Sequence, residues 1–126
     1  MLRCLIVDDS TRFLEVARTV LERDGISVIG TASTGAQALS LAAELRPDVM
    51  LVDIDLGGES GLKLARRLAE QAGGAPAPII LISTHSEEDY ADLIAASPAI
   101  GFLPKTALSG TAIRGTLGGV SGPRGI

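Results

Sequence analysis

At 126 residues, 46% of them hydrophobic, the chain has enough material for one domain core and too little for two. Eleven Lys and Arg against fifteen Asp and Glu leave a net charge of −4, which argues against direct nucleic-acid or anionic-membrane binding, since both draw on basic patches. One cysteine, Cys4, and one histidine, His85, exclude an internal disulfide and a Cys/His metal cluster, and no apolar run approaches the ~20 residues of a membrane span. The lone cysteine suits a reducing compartment, and Met1 leads almost directly into a short apolar run, so the expected location is cytoplasmic.

The first strand is expected over residues 2–7, an apolar run halted by Asp8-Asp9-Ser10. Phe13, Leu14, Ala17, Val20 and Leu21 then recur at helical spacing, with Ser10 or Thr11 as N-cap and Gly25 as the stop. A second strand over 27–32 precedes a helix over 36–45 that Pro47 ends. The third strand, 49–54, is followed by the helical repeat of Leu62, Leu64, Ala65, Leu68 and Ala69, stopped at Gly73-Gly74. The fourth strand, 79–83, leads to a short helix marked by Tyr90, Leu93, Ile94 and Ala95 and ended near Pro98. A fifth strand over 100–103 precedes a last helix over about 107–117, weakened by Gly110 and Gly115, each costing up to ~1 kcal/mol relative to Ala. Residues 1–117 form the expected domain, and 118–126, with four glycines and a proline, a flexible tail.

Runs such as Val-Met-Leu-Val and Ile-Ile-Leu-Ile do not alternate with polar residues, as strands covered on both faces do not. Strand and helix alternating five times predict an α/β fold, a doubly wound five-stranded parallel sheet in the flavodoxin-like strand order 2-1-3-4-5. Ligands of that topology bind beyond the carboxyl ends of the strands, at the switch point between strands 1 and 3.

The expected site is therefore read from those ends. Asp8 and Asp9 follow strand 1, Asp53 lies at the end of strand 3 with Asp55 just beyond, Ser83 ends strand 4 and Lys105 follows strand 5. Four of the eight aspartates thus crowd the switch point, where their mutual repulsion needs compensation. A hard divalent cation such as Mg²⁺ supplies it, and Lys105 adds a point charge able to pair with a phosphate. A carboxylate, a cation, a lysine and a hydroxyl around one point are the parts for phosphoryl transfer onto an aspartate. Taken singly, each has a bland reading: the Asp pair as turn and helix cap, Ser83 as a strand-end hydroxyl bonded to backbone, Lys105 as a surface lysine.

The motifs Leu-Ile-Val-Asp8-Asp9-Ser, Asp48-Val-Met-Leu-Val-Asp53-Ile-Asp55-Leu, Ile-Leu-Ile-Ser83-Thr and Gly101-Phe102-Leu-Pro-Lys105 together resemble the receiver domains of two-component response regulators, over residues 2 to about 117. The resemblance implies that Asp53 is the phospho-accepting aspartate, that Asp9 ligates Mg²⁺ directly and that Asp8 holds the metal's water shell. It implies that Asp55 completes the coordination through its backbone carbonyl, that Ser83 senses the phosphoryl group and that Lys105 pairs with it. Phe102 matches the family's aromatic switch. The implied donor is a histidine kinase or phosphotransfer protein, and the implied output is a change in the surface of helix 4, strand 5 and helix 5, through which a homodimer or partner would dock. On this reading the chain phosphorylates and dephosphorylates itself without turning over a substrate. No basic recognition helix follows, so the expectation is a stand-alone receiver or one excised from a longer regulator. In this sequence Pro104 precedes Lys105 and Thr106 follows it, and the loop Leu56-Gly57-Gly58-Glu59-Ser60-Gly61 lacks the family's frequent Met-Pro.

Two other functions fit parts of the pattern. Asp53-Ile-Asp55 after a strand is shared with haloacid-dehalogenase-type phosphatases, though there the motif lies on the first strand. A receiver-like adaptor that is never phosphorylated is the other. Cys4 reads as a small buried hydrophobe, His85 as an exposed loop residue, and Gly30 and Gly35 as packing and turn glycines.

Overall fold

The computed structural model describes residues 1–73 and 77–120. Five strands, β1 (Arg3–Val7), β2 (Ser27–Ala32), β3 (Val49–Asp53), β4 (Ile79–Ser83) and β5 (Gly101–Pro104), form one sheet. They are ordered β2-β1-β3-β4-β5 and all pair in parallel. The helices are α1 (Thr11–Arg23), α2 (Gly35–Leu45), α3 (Gly61–Ala72), α4 (Ala91–Ala95) and α5 (Gly110–Val120). Between β3 and α3 the pairs Asp55–Leu56 and Glu59–Ser60 make a two-residue antiparallel ribbon.

Each face of the sheet is covered, which is why the central strands read as unbroken apolar runs. Leu5, Val7, Met50, Val52, Ile79 and Leu81 point to one side, where α2 and α3 contribute Ala38, Leu64 and Leu68. Cys4, Ile6, Leu51, Ile80 and Ile82 point to the other, under Leu14, Ala17 and Leu21 of α1 and Ile113 of α5. Cys4 is fully buried, and that burial pushes its thiol up to about 12, so it is held protonated and inert.

The helix starts obey local chemistry. The side chains of Ser10, Thr34 and Ser60 each accept the N–H of the residue three positions on, capping α1, α2 and α3, each such cap contributing ~1 kcal/mol. Arg3 closes the other end of α2 by donating to the carbonyls of Leu45 and Arg46 at 2.7 and 2.8 Å.

The fourth helix is shorter than its pattern suggests: a 3₁₀ turn over Glu87–Tyr90 comes first, and α4 itself has five residues, none of them buried. The last helix starts later than expected. Lys105–Ala107 form a 3₁₀ turn, and α5 begins at Gly110 because Ser109 Oγ caps it by accepting the Ala112 N–H at 3.0 Å. Asp24, at the end of α1, reaches across to accept the Gly110 N–H at 2.7 Å, and Arg114 donates to the Asp24 carbonyl at 2.8 Å. These anchors, with Ile113 fully buried, offset the cost of the interior glycines. The helix continues to Val120, so residues 118–120 of the expected tail are helical, while 121–126 lie outside the described residues. Among the described residues no peptide bond is cis, and no helix is long and apolar enough to cross a membrane.

Candidate functional site

Strand register sets the site. Val7 and Val52 are partners across β1 and β3, so Asp8 and Asp53, one residue further along each, emerge side by side at the carboxyl edge. Ser83 pairs with Pro104 across β4 and β5, which places Lys105 one step beyond. The lysine reaches over both acids: its Nζ lies 2.5 Å from Asp8 Oδ2 and 3.0 Å from Asp53 Oδ2.

Each acid divides its oxygens between two tasks. Asp8 Oδ1 accepts the Ser10 N–H at 2.8 Å and shapes the turn into α1, while Oδ2 faces the lysine. Asp53 Oδ1 accepts the Asp55 N–H at 3.0 Å, and its Oδ2 faces the same ammonium. The turn and the acidic pocket thus draw on different oxygens of the same residues. Ser83 behaves alike: its Oγ accepts the His85 N–H at 3.0 Å, leaving its own O–H to donate.

The electrostatics follow from burial. Asp8 is fully buried and Asp53 nearly so. Burial pushes the Asp53 carboxyl up to about 6; the Asp55 N–H and Lys105 pull against that rise, and the charge of Asp8 adds to it. For Lys105, burial works to lower the pKa, but Asp8 and Asp53 together outweigh it and hold the ammonium above the ordinary lysine value.

One carboxylate oxygen from each of Asp8, Asp9 and Asp53 falls within 4.8 Å of the others. Asp8 Oδ2 is buried and accepts no well-formed hydrogen bond, its charge being met by the lysine alone. Three carboxylates against one ammonium leave a formal −2 there, the charge that a divalent cation cancels. The donor set is all oxygen, and Asp9, exposed beside two buried acids, keeps one side open to water; these residues fit Mg²⁺. Asp55 does not bring its carboxylate into the cluster: that side chain is exposed, and what the residue offers the site is backbone.

The two-glycine loop also has a local reason. Gly57 has φ +60°, and a Cβ on it would lie 2.6 Å from Asp9 Oδ2, so the carboxylate occupies room that a side chain would take.

Phe102 is buried, only 9% exposed, in the same apolar cluster as Leu81, its partner across β4 and β5, with Tyr90 and Ile94 packed against that cluster. His85 is exposed, its ring edge-on to Tyr90 at 6.0 Å. One neighbour was not visible in the sequence as part of the site. Phe13 of α1, read there as a core repeat, has its ring centroid 4.4 Å from Lys105 Nζ.

Residues 4–113 match the response regulator receiver domain family. The chain belongs to that family. The receiver domain of the response regulator NarL from Mycobacterium tuberculosis is similar, with a TM-score of 0.80 at 30% identity, covering 96% of this chain and 97% of that one. A Burkholderia pseudomallei response regulator, whose structure holds a phosphorylated aspartic acid and a calcium ion, has a TM-score of 0.78 at 26% identity, covering 93% of this receiver and 66% of that chain. A protein-glutamate methylesterase/protein-glutamine glutaminase of Methanospirillum hungatei is 40% identical over 84 residues, which is 66% of this receiver. The receiver spans about a quarter of the length of the methylesterase relatives it matches. Membership of the receiver family sets aside the haloacid-dehalogenase-type phosphatase: here the Asp-x-Asp follows the third strand of a receiver sheet.

Proposed function

We propose that Asp53 accepts one phosphoryl group from a phosphohistidine donor and that the receiver signals by the resulting change in its surface. A carboxylate oxygen of Asp53 bonds to phosphorus as the phosphorus–nitrogen bond of the donor breaks, and the electron pair leaves on the imidazole nitrogen, which takes up a proton. Asp8, Asp9, Asp53 and the backbone carbonyl of Asp55 would hold Mg²⁺, which when bound would supply positive charge to the phosphoryl oxygens. The Lys105 ammonium exchanges its carboxylate partners for a phosphoryl oxygen, and the free O–H of Ser83 donates to another. The chemistry is positioning and charge neutralisation, for which the buried edge of the sheet is arranged in advance. The Burkholderia relative, with its phosphorylated aspartate and divalent cation, supports this reading.

The observation that carries it is the Lys105 ammonium bridging buried oxygens of Asp8 and Asp53, with the Asp9 carboxylate close by. The partner is a histidine kinase or phosphotransfer protein, and each cycle handles one group, so the module is a switch and not a turnover enzyme. Readout runs through β4 to α4, β5 and α5. In support, α4 has no buried residue and Leu93 is 56% exposed, so this face is loosely held and offers apolar surface to a partner or a second copy. Phe102, already buried, would report the change by repacking against Tyr90 and Ile94 rather than by entering from solvent.

Intact-mass spectrometry after incubation with acetyl phosphate tests the assignment. The wild type should gain one phosphoryl mass with Mg²⁺ and none without, and Asp53→Asn should gain none. Labelling of the Asn variant would move the acceptor elsewhere; a wild type that stays unlabelled would favour the unphosphorylated adaptor.

A further inference from the structure

We infer that Phe13 is a positioning residue for Lys105, holding the ammonium at the phospho-acceptor site with the face of its ring; the inference rests on the phosphoryl-acceptance reading above. The Lys105 side chain is 13% exposed and has surrendered most of its water, yet an ammonium is a strongly hydrated charge on a flexible stem. Two carboxylates, Asp8 and Asp53, take its front, and the Phe13 ring, 4.4 Å from Nζ to centroid, closes its flank with the negative face of the π system. These supports differ in what the reaction does to them. Phosphorylation consumes a charge on Asp53, and a cation competes for Asp8. The ring neither ligates metal nor accepts the phosphoryl group, so it is the contact that persists while the lysine changes partners.

Its placement is tied to the site rather than to the core alone. Phe13 is half-buried in the first turn of α1, and its N–H donates to Ser10 Oγ at 3.2 Å. The Ser10 N–H in turn donates to Asp8 Oδ1 at 2.8 Å, so one turn sets both the acid and the ring on either side of the ammonium. A leucine would fill much of the same volume without a quadrupole.

The chain has two lysines, Lys63 and Lys105, so lysine-selective labelling gives two ε-methylene NMR signals, with the exposed Lys63 as internal reference. In the wild type the ring current should displace the Lys105 signal from that of Lys63. Phe13→Leu should abolish the displacement and slow acceptance from acetyl phosphate by about three- to tenfold, the range expected of a partly desolvated cation–π contact. Phe13→Tyr, which keeps the ring, should retain the displacement and restore the rate to within about twofold; Phe13→Met replaces the Leu variant should that one fail to fold. A Lys105 signal unmoved by loss of the ring, or non-aromatic variants labelled at the wild-type rate, would overturn the role of Phe13 while leaving Asp53 as acceptor. A wild type that never labels would overturn the phospho-acceptor reading itself, and the role of Phe13 with it, even with the ring contact present in the spectrum.

Discussion

The α-carbon of Gly61 presses against the backbone of Asp53: a Cβ built on it would lie 1.8 Å from the Asp53 carbonyl oxygen. The Gly61 N–H also donates to the Ile54 carbonyl at 2.7 Å, so α3 starts hard against the peptide that carries Asp53. No side chain fits without moving one of them. Gly61→Ala should therefore cost about 3 kcal/mol, the upper range for overpacking, although alanine normally favours a helix. Urea unfolding measures this, and a variant as stable as the wild type would show that α3 can back away freely.

Lys105 is the counterion of a buried acid, and its removal should be felt before any phosphate is present. Lys105→Ala leaves Asp8 and Asp53 facing each other without compensation, at an expected cost of about 2 kcal/mol, below the fully buried range because the lysine keeps some water. Mg²⁺ should recover most of that loss and stabilise the variant more than the wild type. Thermal unfolding with and without the ion decides it; equal shifts in the two proteins would contradict the compensation argument.

The raised Asp53 carboxyl gives the protein a pH dependence of definite sign. In the folded chain it holds its proton up to about 6, against an ordinary value of 3.8. A group bound more tightly to its proton when folded contributes stability that is complete below about pH 4 and lost as the pH rises through 6. Mg²⁺ requires the anion, so its affinity should rise over that same interval and level off above it. Calorimetric Mg²⁺ titrations between pH 5 and 8 read this on the metal side, and a flat profile would mean that the acid is already ionised at pH 5.

Asp9 and Asp55 should separate cleanly. Asp9 brings a carboxylate oxygen to the cluster and Asp55 does not. Asp9→Ala should weaken Mg²⁺ by about tenfold or more, and Asp55→Ala, which retains the carbonyl, by less than about threefold. Chemical-shift titrations compare them, and equal losses would place the Asp55 side chain on the ion.

How legible all this was depended on whether a signal was local. The strand at 79–83 is legible to the residue because an unbroken apolar run between turn residues has few other meanings, and the one at 27–32 because Gly25 and the Ser33-Thr34 pair bracket a short β-branched stretch. Asp8, Asp53 and Lys105 converge because the sheet order follows from right-handed crossovers, and their strand-end positions can be counted in the sequence. The sequence carries the last helix back to about residue 107, whereas Ser109 and Asp24 supply the caps that start it at Gly110 and only one of them is nearby. The place of Phe13 beside Lys105 is hidden from the sequence for the same reason. Its spacing with Leu14 and Ala17 reports burial against the sheet, and nothing in spacing reports an ammonium arriving from the far end of the chain.

The latch between Asp24 and Gly110 pins the first turn of α5, while further along Leu117 packs against the core and Thr116 lies against Gly101. Gly110, Ile113 and Arg114 are tied down, whereas at Gly115 and Gly118 a side chain would meet open space. A rod pinned at one end and packed along its length still tilts about the pin, as a lever does. The six helical rises from Arg114 to Val120 make an arm of about 9 Å, so a tilt of ~10° at the clamp swings the tip by roughly 1.5 Å. The clamp stands just beyond the 3₁₀ turn that begins at Lys105, so the residue proposed to pair with the phosphoryl group also sits beside the fulcrum. Motion too small to matter at the pocket is magnified at the tip into a step large enough to make or break a contact.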